Sequence, residues 1–497
     1  MTSLKSYLLL IMVIALIVAA SLGIASATNV RIAVLWSDAL IYLLVLAIAA
    51  FAIEATHKEH LRAPWRHVAR RPLAMSALVV LLLYVVVGLL DSVHFRQALE
   101  PQEGQTEIHY SGEELSLLDV ILTPLREQQE KTYSAPFATH LYMKETLERD
   151  GIQIRDYPRL THAGSHLDDP EKDKVADIVL KTLLALIEAL ILWAVILIVL
   201  AALLARGKQL TTGNVVKAIL RNNTEIPWLA MLVTFGMMLL LIMFTVNLAG
   251  SYHILGTDKV GQDVLYLAIK SIRTGLVIGT LTTLIMLPFA IMLGIMAGHF
   301  KGWVDDVIQY LYTTLNSIPG VLLIAAAILS MQVYMANHPE MFETVTQRAD
   351  VRLVFLCMIL GITSWTGLCR LLRGETLKLS QLDYVEAATA FGVGHFKIMT
   401  RHILPNVMHI VLIAVVLDFS ALVLAEAVLS YVGVGVDPVT ISWGNMINSA
   451  RLEMARDPVV WWSLVAAFVF MFALVLAANL FSDAVRDAFD PRISRTK

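Results

Sequence analysis

Two carboxylates, Asp418 and Glu426, lie eight residues apart inside a stretch that is otherwise almost wholly apolar. At helical pitch that spacing puts them on one face. A carboxylate inside a membrane is costly and faces a water-filled cavity or a partner group. The pair is therefore either path-lining or hydrogen-bonded to neighbouring helices, and both readings stay open for Asp418. Glu426 lies near the end of its run, where a structural role at the adjoining loop is the simpler reading. Glu188, in an earlier apolar run, poses the same question. The two cysteines, Cys357 and Cys369, share one run. Twelve residues of helix separate them by about 18 Å, whereas a disulfide needs Cα atoms within about 7 Å. They read as passive apolar side chains, and no His or carboxylate stands beside them at metal-ligand spacing. The 14 histidines are scattered through loops. No G-x-x-x-x-G-K-[ST] phosphate loop occurs, since Gly207–Lys208 lacks both the upstream Gly and the following Ser or Thr. H-E-x-x-H and G-x-S-x-G are also missing, and with them the metal and nucleophile chemistry those patterns support. The chain reads as non-catalytic, with no metal and no cofactor of its own.

The elements that position these residues follow from composition. The 497 residues are 57% hydrophobic and 16% charged, with a mean hydropathy of +0.69. Soluble domains are about 45–50% apolar and about 25% charged, so this is a polytopic membrane protein in contact with a lipid bilayer. A net charge of -3 argues against a nucleic-acid partner. A bilayer core needs about 20 apolar residues per helix. Ten such runs occur, at 8–27, 37–55, 72–90, 178–205, 227–248, 272–297, 307–335, 352–372, 407–430 and 461–481. Lys and Arg gather in "HKEHLRAPWRHVARR", "RGKQLTTGNVVKAILRNN", "RLLRGETLKLS" and the tail "RDAFDPRISRTK", all on one side if the spans alternate. The positive-inside rule then puts both termini in the cytoplasm.

The division expected is three spans in 1–90, an external loop domain in 91–176, a fourth span and linker in 177–225, and six core spans in 226–497. The external segment reads as partly helical between Leu117 and Ile152: either a small domain packed on the membrane face or, as the simpler reading, an ordered linker with no ligand of its own. The first run carries a small-x-small "IASAT" site but is too long for an ordinary signal core, and reads as a retained span. Gly275, Gly279, Gly294 and Gly298 provide small-xxx-small spacing for close helix packing, and Pro288 between them is a candidate kink.

One basic, polar stretch interrupts the apolar runs: "YVEAATAFGVGHFKIMTRHILPN", Tyr384 to Asn406. Ser380 and Asp383 have the spacing of a capping box. A helix through "YVEAATAF" would end at Gly392, the residue type that best takes the left-handed conformation. Its alanines leave a thin surface that another backbone can approach. Pro405 is placed to open the next membrane helix, where proline is tolerated in the first turn.

Glu386, Ala387, Ala388, Gly392, Ile403, Leu404 and Pro405 together resemble the EAA loop of ABC importer permeases, here spanning 373–406. "HILGTDKVGQDVL" is similar to a segment of the dipeptide/oligopeptide C-type permeases, through Gly256, Thr257, Asp258, Gly261 and Asp263. Ile254 and Gln262 depart from the family's Pro and Arg. "EAVLSYVGVGVDPVTISWGNMI" and "NLFSDAVRDAFDPR" resemble two further family segments. The four lie in family order and cover about residues 226–497. The resemblance implies an all-α integral membrane protein with a six-helix type I ABC importer permease core. Four extra N-terminal spans and the external loop domain bring the count to about ten transmembrane helices. It also implies an inner-membrane permease for peptides or a similar small solute, with the EAA loop as the helix that couples it to an ATPase. The partners implied are two ABC ATPase subunits that carry the ATP, a second homologous permease and an external solute-binding protein. Two rival readings are a ten-span secondary transporter driven by an ion gradient and a membrane-anchored scaffold or sensor. The first would leave the EAA stretch unexplained, and no internal repeat is present to support it.

Overall fold

The computed structural model describes residues 30–57, 59–99, 110–149, 152–208, 211–342 and 344–489. The first apolar run, 8–27, and the last residues of the basic tail lie outside them. The chain is a bundle of long helices. Eight are long and apolar enough to cross a membrane: Pro72–Asp91, Lys172–Arg206, Trp228–Ala249, Val264–Phe300, Gly320–Asn337, Val345–Leu379, His395–Tyr431 and Trp462–Phe489. A further apolar helix covers Trp36–Ala50. The count of ten is thus not reached among the described residues.

In chain order, strand β1 (Val30–Ala33) precedes α1 (Trp36–His57), α2 (Glu59–Ala69) and α3 (Pro72–Asp91). The segment that follows holds β2 (His94–Gln97), β3 (Leu115–Ser116), α4 (Leu117–Ile121), α5 (Thr123–Glu127), β4 (Glu145–Arg149) and β5 (Ile152–Asp156). Next come α6 (Pro170–Lys208), α7 (Thr212–Leu220), α8 (Trp228–Ala249), α9 (Val264–Phe300), α10 (Gly302–Ser317) and α11 (Gly320–Asn337). The remainder is α12 (Val345–Ser364), α13 (Thr366–Leu379), α14 (Asp383–Ala390), α15 (His395–Ile398), α16 (Leu404–Tyr431), α17 (Trp443–Glu453) and α18 (Trp462–Phe489).

α9 is the spine, running through Pro288 as one 37-residue helix of about 55 Å. Its glycines meet neighbours as the small-residue spacing requires. A Cβ on Gly294 would press on Leu372 and the Cys369 carbonyl, and one on Gly298 on Thr376 and the Arg373 carbonyl. α9 and α13 therefore pack backbone against backbone.

One expectation needs correction, and two features lie beyond the sequence reading. The run 307–335 is two helices, because Pro319 holds Ile318 extended, at φ -89° and ψ 130°, and ends α10. The stretch from Leu117 to Ile152 is partly helical, as expected, in α4 and α5. Its later part forms β4, which pairs antiparallel with β5, Glu145 opposite Asp156 and Arg149 opposite Ile152. The Asp150–Gly151 pair between two short runs is a hairpin signal that the helical reading overlooked. Lastly, β1, from before the first described helix, joins β2 antiparallel, and β2 joins β3. Residues 30–33 and the 91–176 segment thus share a sheet across α1–α3.

Candidate functional site

At one end of the bundle α14 projects from the chain. The expected capping box does not form: the first turn is capped at Leu382 with no side-chain bond. α13 runs on to Leu379, so the Ser380 hydroxyl donates instead to the Leu377 carbonyl at 3.0 Å. The C-terminus of α14 is as the glycine requires. Gly392 sits at φ +73°, its N–H donates to the Thr389 carbonyl at 3.0 Å, and Val393 N–H reaches the Ala388 carbonyl at 3.1 Å. That pair of bonds is a Schellman closure.

Pro405 lies in the first turn of α16, as expected, but no loop precedes it. The helical path starts ten residues earlier, at His395, and passes through a π turn, Met399–Ile403, immediately before α16. Proline has no N–H for the bond to the residue four back and its ring crowds that carbonyl. The wider turn accommodates it.

The seven motif residues divide by role. Val385, Ala388, Ile398 and Ile403 are buried in one cluster with Leu368, Leu372 and Val407 of the membrane helices. Leu404 is half-buried, while Glu386, Ala387, Gly392 and Pro405 are exposed. Asn406 donates to the Tyr384 hydroxyl at 3.1 Å, tying α16 to α14. His299, at the end of α9, meets His395 at 3.0 Å. Arg373 of α13 grips Asp305 of α10 through two bonds of 2.5 and 2.6 Å. α14 thus shows solvent a thin face of Glu386, Ala387 and Ala390, while its other face is part of the helical core.

At the opposite end, residues 253–263 form a cradle for the segment Glu130–Ala135. Gly256 and Gly261 have φ of +71° and +78°. A Cβ on Gly261 would collide with the Glu130 carbonyl, and one on Gly256 with that of Ser134. Glu130 N–H donates to the Gly261 carbonyl at 2.9 Å, and Thr257 N–H to that of Ser134 at 3.0 Å. The Thr257 hydroxyl donates to the Thr132 carbonyl at 2.8 Å. Asp258 closes its own turn on the Val260 and Gln262 N–H groups. Asp263 caps α9 through Leu265 and Tyr266 N–H, and its other oxygen holds His253 Nδ1 at 2.7 Å.

His253 Nε2 faces Glu130 at 3.7 Å, an ion-pair distance rather than a hydrogen bond. Burial works against the imidazolium, but Asp263 and Glu130 outweigh it and raise the His253 pKa from 6.5 to about 9. Burial likewise opposes the Glu130 charge. His253 and the N–H groups of Thr161, His162 and Ala163 override it and hold the pKa near 2 against an ordinary 4.5.

The signs of these shifts give a stability profile. His253 contributes stability that is complete below about pH 6.5 and lost as pH rises through about 9. Glu130 contributes stability present above about pH 4.5 and lost as pH falls toward about 2. We expect the thermal midpoint of purified wild-type protein to fall as pH rises from about 6.5 to about 9, and the deficit of His253→Gln to shrink over the same range. A deficit constant from about pH 7 to 10 would contradict a charged His253.

The two candidate membrane carboxylates have unlike surroundings. Glu426 is 3% exposed and accepts from Ser430 at 2.7 Å and Ser442 at 3.0 Å, against Gly444. It anchors the loop before α17. Asp418 is half-buried in mid-α16. On its stripe, Val411 and Ala414 pack in one apolar cluster and Leu429 in another. No side chain among the described residues bonds to it. Glu188 accepts from Asn247 at 2.8 Å. Cys357 and Cys369 are free and buried. Among the described residues no group of three or more His, Cys, Asp or Glu is placed to hold a metal.

One buried constellation escaped the sequence reading. Lys270 and Arg273, in the first turns of α9, collect acids from the N-terminal helices. Arg273 donates to Ser37 and Asp38, each at 2.6 Å, and lies 4.0 Å from Asp350. Asp38 also meets His94 at 2.8 Å, and the Ser37 hydroxyl donates to Asp350. Lys270 reaches Asp91 at 2.7 Å and Asp119 at 2.9 Å, and Tyr266 donates to Asp119 at 2.8 Å. The available signal was acids at the edges of apolar runs, Asp38 and Asp91, opposite cations three residues apart at the start of another.

Residues 290–495 match the family model described as "Binding-protein-dependent transport system inner membrane component". The chain is similar to the glutathione transport system permease protein GsiD of Pectobacterium atrosepticum, 32% identical over 243 residues, which are 49% of this chain and 74% of that one. It is 30% identical over 242 residues to the oligopeptide transport system permease protein OppC of Mycobacterium tuberculosis, 49% of this chain and 77% of the relative. The dipeptide transport system permease protein DppC of Bacillus subtilis is 27% identical over 243 residues, 49% of this chain and 70% of its own. The family match takes in Glu386 to Pro405, Asp418 and Glu426 but not residues 253–263.

Proposed function

The chain belongs to the family of inner membrane components of binding-protein-dependent transport systems, and from that premise we propose that α14 is the helix through which an ATPase drives it. It is a multi-pass, non-catalytic permease component of an ABC importer. In the proposed arrangement the Glu386 end faces the cytoplasm of a bacterial cell, both termini lie there, and the His253 end is external. Two ATPase subunits carry the ATP, a second homologous permease completes the path, and an external solute-binding protein delivers a peptide or similar small solute. In the proposed division, residues 226–497 are the transporting core and 1–225 an added module.

The observation that supports this reading is the shared burial of Val385, Ala388, Ile398 and Ile403 with the membrane helices. An ATPase pressing on the exposed Glu386–Ala387 face would move α14 and α16 as one body, because side chains packed at crystal-like density transmit displacement. The ATPase pair then biases an equilibrium between inward-open and outward-open states, which is all a coupled partner can do. Asp418 lines the path in this scheme, since an unpaired carboxylate at membrane depth is tolerated where water reaches it. Glu426, with its bonds satisfied, is assigned to the loop and not to the path.

Thiol labelling tests the scheme, because both native cysteines are buried and give little background. Ala390→Cys should resist a membrane-impermeant maleimide on intact cells and react once the membrane is opened. Asp418→Cys should react with a small water-soluble reagent to an extent that changes when the ATPases are trapped with nucleotide. Reaction of Ala390→Cys from outside would put α14 on the wrong side and end the proposal. An unreactive Asp418→Cys in every state would remove that residue from the path.

A further inference from the structure

α2 leaves α1 at His57 and gives way to α3 at Pro72, so each connector is one or two residues and reaches only about 7 Å. A helix tied that closely between two apolar helices lies at the bilayer surface. Its apolar side is already taken. Trp65 lies 6.4 Å from Phe481 and 5.7 Å from Phe489, ring centre to ring centre, on the last turns of α18. Val68 is buried against Ala484 and Val485. Its other side is basic. Arg62 and Arg66 follow at i and i+4, Arg70 continues the stripe just beyond the helix, and all three are exposed. No carboxylate among the described side chains pairs with them. Arg71 is engaged with Asp487 at 2.7 Å, while Asp483 and Arg486 of the same helix end are exposed. Two or more guanidinium groups on one stripe match the geometry of a phosphodiester, and a Trp beside them suits headgroup depth.

We propose that Arg62, Arg66 and Arg70 form a surface site for the headgroup of an anionic phospholipid, and that a lipid bound there fastens α2 to the end of α18. The site rests on the membrane placement of α1–α3, not on transport, so its test reads lipid and not flux. A protein partner is disfavoured because, among its described side chains, the helix has no free apolar face for one to bury.

The full chain is purified from nanodiscs of phosphatidylcholine with about one-tenth phosphatidylglycerol or cardiolipin, and retained lipid is read by native mass spectrometry. Each basic residue near a surface contributes about a factor of 5 for anionic lipid. Arg62→Gln/Arg66→Gln/Arg70→Gln should therefore retain it about 100-fold less well, and the triple Lys variant should keep most of it. Retention by wild type should fall steeply with salt, which decides the matter if the Gln variant does not accumulate. Equal retention of phosphatidylcholine, or undiminished retention by the Gln variant, overturns the proposal. So does inorganic phosphate that alone displaces the lipid, which would mark a free-anion site. Loss of the ATPase subunits with lipid unchanged would mark a protein-docking surface and also overturns it.

Discussion

Gly392→Asp should cut transport by about 30- to 150-fold while leaving the amount of permease in the membrane within about twofold of wild type. A Cβ on Gly392 meets nothing within 4 Å, so its cost to the fold is conformational. Holding a non-glycine residue at φ +73° costs about 1–2 kcal/mol. A carboxylate at the negative end of the α14 dipole adds a few tenths. A well-packed membrane domain survives that loss. The interface does not, because a truncated or charge-reversed central contact costs about 2–3 kcal/mol, which is the fold-change quoted at 1.4 kcal/mol per decade. Glu386→Lys should act in the same way with even less effect on folding, since Glu386 is exposed. The discriminating measurement is ATPase activity of the assembled complex. It should persist, or the ATPases should dissociate, while uptake fails. Normal uptake in both variants would show that α14 couples nothing.

Arg273→Met should produce a large loss of stability. The Arg273 side chain is 11% exposed and that of Asp38 is 1% exposed. Removing the cation leaves Asp38 and Asp350 buried without their guanidinium, and breaking one side of a buried pair costs about 3–5 kcal/mol. Asp38 keeps His94, so the loss stops short of a fully unpaired carboxylate. Thermal midpoint in detergent and accumulation in the membrane should both fall sharply. Arg273→Met/Asp38→Asn should recover part of the loss, because the double change removes both charges. A single variant as stable as wild type would mean that water enters this network and screens it. The consequence reaches beyond stability. Ser37, Asp38, Asp91, His94 and Asp119 all come from residues 30–127, so that stretch is bolted to α9 by charge as well as by packing.

Much of the Glu386 end was legible in the sequence because its determinants are local. The Gly392 turn, the alanine face and the alternation of buried and exposed positions in α14 all arise within ten residues. Pro405 does lie in the first turn of α16, but the π turn before it was not legible, because a first-turn proline is equally compatible with a loop or a wider turn ahead of it. Choosing between them depends on whether Ile398 and Ile403 can both reach the core. The Ser380 cap failed for a similar reason: α13 extends to Leu379 to bury Leu372 and Thr376 against α9, and that packing takes the hydroxyl first.

The sequence by itself determined that the chain lives in a membrane, roughly where its apolar helices run, and which family its C-terminal half resembles. These depend on apolar length and on short motifs, and a run of twenty apolar residues has no other stable home. Only the tertiary structure decided what Lys270, Arg273, His253 and the glycines at 256 and 261 are for. Their partners lie as far as 236 positions away along the chain, and a polar group met across such a distance leaves no periodic trace near either residue.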